Sequence, residues 1–164
     1  MIYPKALVLF FCGIFLNITV YAQIEHDSLM DLGGLNKEVK FQDNFYEALK
    51  QKGIENFDKA ISALGHCLEI YPNSAVVYYE LGNVYLKAEN YKESEKNLKK
   101  AINLDNENFW FKDKLYQLYL VQDNFDKAIE ALLPILGNKQ DYEDDLSYLY
   151  SRAGRYSEAL AHIQ

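Results

Sequence analysis

A sequence motif that recurs at a fixed interval of about 34 residues is the strongest constraint on how this chain folds. The same interval separates the aromatic residue Phe57 from Tyr91 and Tyr91 from Phe125, and a slightly shorter one leads to Tyr156. A column of leucines keeps the same period at Leu64, Leu98 and Leu132. Self-similarity at a fixed period of this length predicts an array of small stacked structural units.

Within each unit the apolar residues follow a helical period. In the second unit two stripes have helical spacing, Tyr78, Leu81, Gly82 and Tyr85 in one and Ser94, Leu98, Ala101 and Ile102 in the other. A short polar turn at Glu89-Asn90 separates them. Spacings of three and four residues place a stripe on one face of a helix. Each unit is therefore predicted to be two antiparallel amphipathic helices, and neighbouring units must stack to bury both stripes.

These columns resemble the tetratricopeptide repeat. Its small, tyrosine and proline positions are matched in four units by Ala60 and Pro72; by Gly82, Tyr85 and Ala101; by Tyr119 and Ala128; and by Tyr150, Gly154 and Ala159. The resemblance implies an all-α solenoid of about three and a half repeats. The units are predicted at 41–74, 75–108, 109–139 and 140–164, the last of them incomplete.

Two units depart from the repeat pattern. The leading helix of the first unit, with Phe45 and Leu49, fits best if it is slipped by one residue. Pro134 falls inside the second helix of the third unit, where proline removes a hydrogen bond and clashes with the preceding turn. We expect that helix to kink or end there.

The N-terminus has the composition of a secretory signal peptide. Residues 1–22 carry one charge, at Lys5, followed by an apolar run and by small or branched residues before Gln23. The apolar run from Ala6 to Leu16 is short against the roughly 20 residues that span a bilayer. Cleavage after Ala22 is favoured over an uncleaved anchor. We therefore expect an exported protein in the periplasm, cell envelope or medium, of secreted bacterial type, with no membrane span after cleavage.

The segment that would follow the signal peptide is poor in pattern. Residues 23–40 are predicted to be a flexible, partly disordered lead-in. Gly33-Gly34 favours a turn, and Asn36 is a candidate N-cap for a helix beginning near Lys37.

Composition and motifs exclude several classes of function. The net charge of −7 disfavours nucleic-acid backbones, which need clustered Lys and Arg. Cleavage would leave Cys67 as the only cysteine, and we expect it to be buried. No phosphate-binding, nucleophile-elbow or metal-ligand motif appears. We predict no enzyme activity, no metal and no cofactor. The acidic run 141–145 is read as a helix start, with a calcium site as the alternative.

A binding groove is implied by the resemblance. In the tetratricopeptide family the leading helices line a concave face, and the matching inward positions here hold Tyr79, Glu80, Asn83, Lys87, Trp110, Asp113, Lys114 and Gln117. Val76, Leu86 and Val121 complete the set. Tyr79 and Trp110 are the best anchors, because aromatic residues dominate binding hot spots. The alternative is that these are ordinary exposed or packing residues.

One partner class of the family is not expected. Chaperone-binding repeats clamp a terminal carboxylate with Lys, Asn and Arg, whereas the matching positions here include Glu80 and Trp110, and only Lys114 is basic. The predicted function is a non-catalytic scaffold that binds a protein or peptide in the groove. The alternative is an N-terminal accessory module, or truncated fragment, of a longer enzyme or envelope-assembly protein, since the fourth unit stops short.

Overall fold

The computed structural model describes residues 32–138 and 141–161, and their regular secondary structure is entirely helical. Helix α1 covers 32–53. The other helices are α2 (Phe57–Ile70), α3 (Ala75–Lys87), α4 (Tyr91–Leu104), α5 (Phe109–Val121), α6 (Phe125–Leu132), α7 (Asp141–Arg152) and α8 (Tyr156–Ala161), with a 3₁₀ helix at Leu133–Asn138. Among these residues no helix combines the length and apolar character that crossing a membrane requires.

The chain divides into two compact units, Met1–Asp43 and Asn44–Gln164. The described part of the first unit, residues 32–43, is helical throughout and includes Gly33, Gly34 and Asn36. The predicted turn and N-cap at these residues are therefore wrong. Once a helix has nucleated, each further residue adds a hydrogen bond, so weak helix formers can be carried along. The rest of the predicted lead-in, residues 23–31, lies outside the described residues, as does the predicted signal peptide.

The second unit is an all-α solenoid. Helices pack pairwise within each repeat, α3 with α4, α5 with α6 and α7 with α8. Each pair also packs on its neighbour, through α2 with α3, α4 with α5 and α6 with α7. The predicted fold class is confirmed. Leading helices are α1, α3, α5 and α7, and trailing helices are α2, α4, α6 and α8.

The turn between leading and trailing helix is the same in every repeat. A residue in the left-handed region occurs at Glu55, Glu89, Asp123 and Gly154, with φ of 60°, 58°, 50° and 77°. The next amide closes the turn, as when Asn90 N–H donates to the Tyr85 carbonyl at 2.9 Å. This bond caps the leading helix with a Schellman-type connection. Only the fourth repeat uses glycine, which adopts this conformation without a Cβ penalty.

The core is formed by the columns that the sequence pattern indicates. Leu64, Leu98 and Leu132 are fully buried. Ala48 is also buried and precedes Gly82 by the interval that separates Leu64 from Leu98. The first repeat therefore keeps the common register, and the predicted slip of one residue is wrong.

Two local predictions are confirmed. Helix α6 ends at Leu132 and the chain continues as the 3₁₀ helix that contains Pro134, as expected from the missing N–H of proline. Cys67 is fully buried on α2, and burial raises the pKa of its thiol. The thiol therefore stays protonated and packs as a small apolar group.

Candidate functional site

The predicted groove residues lie on two neighbouring leading helices. Four are on α3 and four on α5, and these two helices contact each other directly. The structure thus brings the eight positions onto one adjoining pair of helices. Their environments differ, however, and not all of them are accessible to a partner.

Trp110 is the most exposed aromatic residue of this set. Its side chain is 61% exposed, and its ring meets the Phe109 ring edge-on at 5.1 Å between centroids. The backbone fixes its place, because Trp110 N–H donates to Asn108 Oδ1 at 3.2 Å in the N-cap of α5. A large aromatic surface is therefore held in water at the start of a leading helix.

Asp113 is buried and hydrogen-bonded, so it is not accessible as a partner-binding residue in this arrangement, in contrast to what its repeat position suggests. It is only 5% exposed, accepts a hydrogen bond from Tyr142 Oη of helix α7, and accepts a second from Gln117 Nε2 at 2.8 Å. The leading helix of the next repeat packs over it. Its carboxylate is used to join two repeats, which residue spacing within one repeat does not reveal.

Glu80 is engaged in an ion pair. Lys52 Nζ lies 2.5 Å from Glu80 Oε2, and both side chains are mostly buried. Because the lysine offsets the charge of the carboxylate, Glu80 repels an acidic peptide less than an unpaired glutamate would. The contact links α1 to α3, so it also fixes the first repeat against the second.

The remaining positions are accessible to different degrees. Tyr79 is half-buried and packs on Phe111, with ring centroids 5.0 Å apart and the ring planes tilted by 31°. Lys114 donates to Gln117 Oε1 at 2.6 Å and is half-buried. Asn83 is half-buried and Lys87 is exposed. With Glu80 paired and Asp113 buried, the accessible charges of the set are those of Lys87 and Lys114.

A reciprocal pair of tyrosine–carboxylate bonds joins α5 to α7 and was not predicted. Tyr142 donates to Asp113, and Tyr116 donates to Asp145 at 3.0 Å. Burial, and then the hydrogen bond to a carboxylate, raise the pKa of both tyrosines. The sequence signal is an Asp-x-x-Tyr in one leading helix and a Tyr-x-x-Asp in the next leading helix, 29 residues further along the chain.

A second polar cluster joins α4 to α5 and α6. Glu95 accepts from Tyr119 Oη at 2.9 Å and lies 2.7 Å from Lys99 and 3.3 Å from Lys127. Burial opposes the charge of Glu95, but hydrogen bonds from Lys99 and Tyr119 outweigh it and lower its pKa. Burial and the bond to Glu95 raise the pKa of Tyr119 to about 12. These polar groups join neighbouring helices of the second and third repeats.

Other candidate ligand residues are also placed. His66 is exposed beside Glu69, with Nδ1 3.3 Å from Oε2, while its neighbour Cys67 faces the core. In the ranges 32–138 and 141–161 no three His, Cys, Asp or Glu side chains are grouped closely enough to hold a metal. The acidic run 141–145 forms the first turns of α7, where carboxylates complement the helix dipole.

Comparison with known proteins agrees with this geometry. Residues 75–108, which contain α3 and α4, match the family model described as tetratricopeptide repeat. A search of curated proteins finds no match to the sequence. The family model and the solved structures described below support the resemblance of this chain to the tetratricopeptide repeat family.

Three solved structures illustrate the likeness in fold. MamA is 22% identical, with 74% of this chain and 73% of that chain covered and a TM-score of 0.65. YrrB, titled a TPR protein with an unusual peptide-binding site, is 22% identical, with 73% and 63% covered and a TM-score of 0.61. The TPR2B domain of yeast Sti1, in a complex with pHsp70, is 16% identical. The match covers 71% of this chain and 98% of that chain, with a TM-score of 0.60.

Proposed function

We propose that the tetratricopeptide array is an exported, non-catalytic scaffold that binds a peptide segment of a partner protein across helices α3 and α5. The fold favours a protein-interaction scaffold, and two proteins of similar fold are described as peptide or protein binders: YrrB has a peptide-binding site, and the Sti1 domain forms a complex with pHsp70. Only the fold relates this chain to those proteins.

The observation that carries the proposal is the exposure of Trp110. Because Trp110 is 61% exposed to solvent, a large apolar area is accessible to a partner. Tryptophan is enriched among the residues that dominate binding energy. Polar groups that can complete a peptide site lie on the same two helices, at Asn83, Lys87, Lys114 and Gln117. A segment with an apolar side chain for Trp110 and acceptors for the lysines fits this surface best.

The chain supplies its own reporter for the test. Trp110 is the one tryptophan in the sequence, so intrinsic tryptophan fluorescence reads this position alone. Peptides selected on the full chain from a display library are expected to shift its emission to shorter wavelength on titration. Calorimetry then gives the affinity of the same peptides for Trp110→Ala, which we expect to be about tenfold weaker or more.

Tyr156→Ala is the matched control. Tyr156 is exposed to a similar extent but lies on trailing helix α8. Its removal is expected to leave affinity unchanged. If peptides bind Trp110→Ala as tightly as wild type, or leave the emission of Trp110 unmoved, the groove proposal is wrong. Tyr79→Ala is less suitable, since Tyr79 packs on Phe111 and its loss would perturb folding.

Export is proposed from the N-terminal sequence. The single charge, apolar run and small residues before Gln23 support cleavage after Ala22. Expression in a bacterial host, fractionation and mass spectrometry of the intact protein test it. A product that begins at Gln23 outside the cytoplasm is expected, and a full-length product retained with the membrane would indicate an anchor.

A further inference from the structure

Helix α4 differs in charge from the other trailing helices. Four lysines and two glutamates give α4 a formal charge of +2, whereas α2, α6 and α8 each carry −1. The whole chain carries −7. A positive helix in this acidic protein is a local feature of one repeat, and the repeat fold does not require it.

Three of these lysines surround a cleft of about 370 Å³ between α3 and α4. Its lining residues are Tyr78, Lys96, Asn97, Lys99, Lys100 and Asn103. None of these residues belongs to the predicted groove. The register of the repeats shows that the lysines are particular to this unit. Their counterparts are Ser62, Gly65 and His66 one repeat earlier, and Glu130, Leu133 and Pro134 one repeat later.

Hydrogen bonds hold two of the side chains that line this cleft, and its charged groups are lysine ammonium groups, which can only donate hydrogen bonds. Tyr78 Oη donates to the Pro72 carbonyl at 3.1 Å, and Asn97 Nδ2 donates to the Glu93 carbonyl at 2.8 Å. Lys100 Nζ lies 5.8 Å from the centre of the Tyr78 ring. Within the described part of the chain, no carboxylate lies at ion-pair distance from Lys100, whereas Lys96 and Lys99 contact Glu93 and Glu95.

We propose that this cleft, here called the lysine cleft, binds an acidic segment of a partner protein. Three ammonium groups supply donors for carboxylates, and the Tyr78 ring and the lysine stems supply an apolar wall. Inorganic phosphate would satisfy the donors but leave the ring and stems uncovered. A peptide with neighbouring carboxylates and apolar side chains satisfies both. The cleft is separate from the groove of Trp110, so the proposal does not depend on peptide binding there.

A designed peptide pair tests the proposal on the full chain. The probe is a capped hexapeptide with three glutamates and three leucines, and its control has glutamine in place of glutamate. Calorimetry at low salt is expected to detect the glutamate peptide only, with affinity falling as salt screens the charges. Lys96→Gln/Lys99→Gln/Lys100→Gln is expected to weaken binding about tenfold or more.

A second triple variant distinguishes the effect of losing lysines in the cleft from the effect of lowering the net charge of the protein. Lys50→Gln/Lys59→Gln/Lys92→Gln removes the same charge from exposed sites outside the cleft, including a Lys50–Glu47 pair like that of Lys96 and Glu93. Binding within about twofold of wild type is expected. Equal losses in both triples, equal affinity for the glutamine peptide, or no binding of the glutamate peptide would each overturn the proposal.

Two further measurements identify the ligand class and the site. Displacement of the peptide by equimolar inorganic phosphate would replace the proposal with a small oxyanion site. Amide resonances of Asn97 and Asn103 are expected to shift on titration with the peptide. Trp110→Ala is expected to bind the glutamate peptide unchanged, and a loss there would place the acidic segment in the groove and overturn the assignment to the lysine cleft.

Discussion

Trailing helices α4 and α8 occupy equivalent places in the second and fourth repeats, but they are held very differently. Helix α4 has 14 residues, buries Leu98 and Ala101 completely, and is tied to α3 by Ser94 Oγ, which donates to the Gly82 carbonyl at 2.8 Å. Helix α8 has six residues, and Ala159 is its one buried residue among those described. The same pattern therefore gives a firmly packed helix in one repeat and a shallow one in the other.

The difference between α4 and α8 illustrates that the burial of an apolar side chain on a trailing helix depends on the helix packed against it. Ile129 on α6 is 1% exposed, because α7 packs against α6. Leu160, its counterpart one repeat later on α8, is 64% exposed. In a solenoid, part of the core of each unit is supplied by its neighbour. An apolar residue in the repeat pattern thus contributes to stability only where a neighbouring helix covers it.

Hydrogen exchange should give the largest contrast between the two helices. Isolated helices shorter than about 12 residues are marginal in water, so the six described residues of α8 depend on tertiary contacts, and Ala159 is the one buried residue among them. We expect backbone amides at 157–161 to exchange at least roughly two orders of magnitude faster than those at 94–102. Mass spectrometry with fragmentation of the full chain measures both. Equal protection would show that the two repeats unfold as one unit.

Leucine truncation should separate the helices by stability. Leu98→Ala removes a fully buried side chain and is expected to lower the free energy of unfolding by about 2–5 kcal/mol. Leu160→Ala removes an exposed one, and we expect a change within about 0.5 kcal/mol. Urea denaturation followed by circular dichroism gives both values. A large loss at Leu160 would mean that this side chain is covered in solution.

A glycine contact tests the close approach of α3 and α4. A Cβ at Gly82 would stand 2.6 Å from Leu98 Cγ and 2.7 Å from Cδ2, so Gly82→Ala is expected to cost about 1–3 kcal/mol. Gly65→Ala on α2 is the control, since an added Cβ there would meet no atom within 4 Å apart from its chain neighbours and the backbone of its own helix. There, alanine should stabilise the helix by up to about 1 kcal/mol. In thermal denaturation we expect Gly82→Ala to lower the melting temperature and Gly65→Ala to raise it. A higher melting temperature for both variants would contradict the packing argument.

The tyrosine that joins α4 to α5 should make stability depend on alkaline pH. The pKa of Tyr119 is raised to about 12 in the folded chain, from 10.0. Its contribution is therefore intact below about pH 10 and is lost as pH rises toward about 12. Compared with Tyr119→Phe, the wild type should lose melting temperature more steeply across this window. Parallel curves for the two proteins would show that the bond to Glu95 contributes nothing to the pH dependence.

The smallest effects are expected at the two turns. Glu89 holds φ of 58° with a side chain, whereas Gly154 holds 77° without one. Glu89→Gly should relieve a steric cost and stabilise by a few tenths to about 1 kcal/mol, after the entropy of glycine is counted. Gly154→Ala should destabilise by about 1 kcal/mol. If Glu89→Gly destabilises, the glutamate side chain itself supports the turn.

Much of the fold could be predicted from the sequence because its signals are periodic. Spacing of three and four residues places Leu98 and Ala101 on one face of a helix, and the repeat interval shows that Leu64 and Leu132 lie in equivalent places. Proline chemistry is equally local, so the end of α6 near Pro134 was predictable. The groove was predictable only as a set of positions on two helices.

The sequence by itself determined the helical period, the stacking of repeats and the burial of Cys67. Only the tertiary structure decided which polar side chains remain accessible. Asp113 is covered by Tyr142 from the next repeat, and Glu80 is paired with Lys52 from the previous one. The helical stretch 32–43 likewise overrides the glycine pair within it. The physical reason is that the helical period, which also places the apolar Cys67 on the core side, arises within a segment, whereas the accessibility of a polar side chain depends on partners 28 or 29 residues away along the chain.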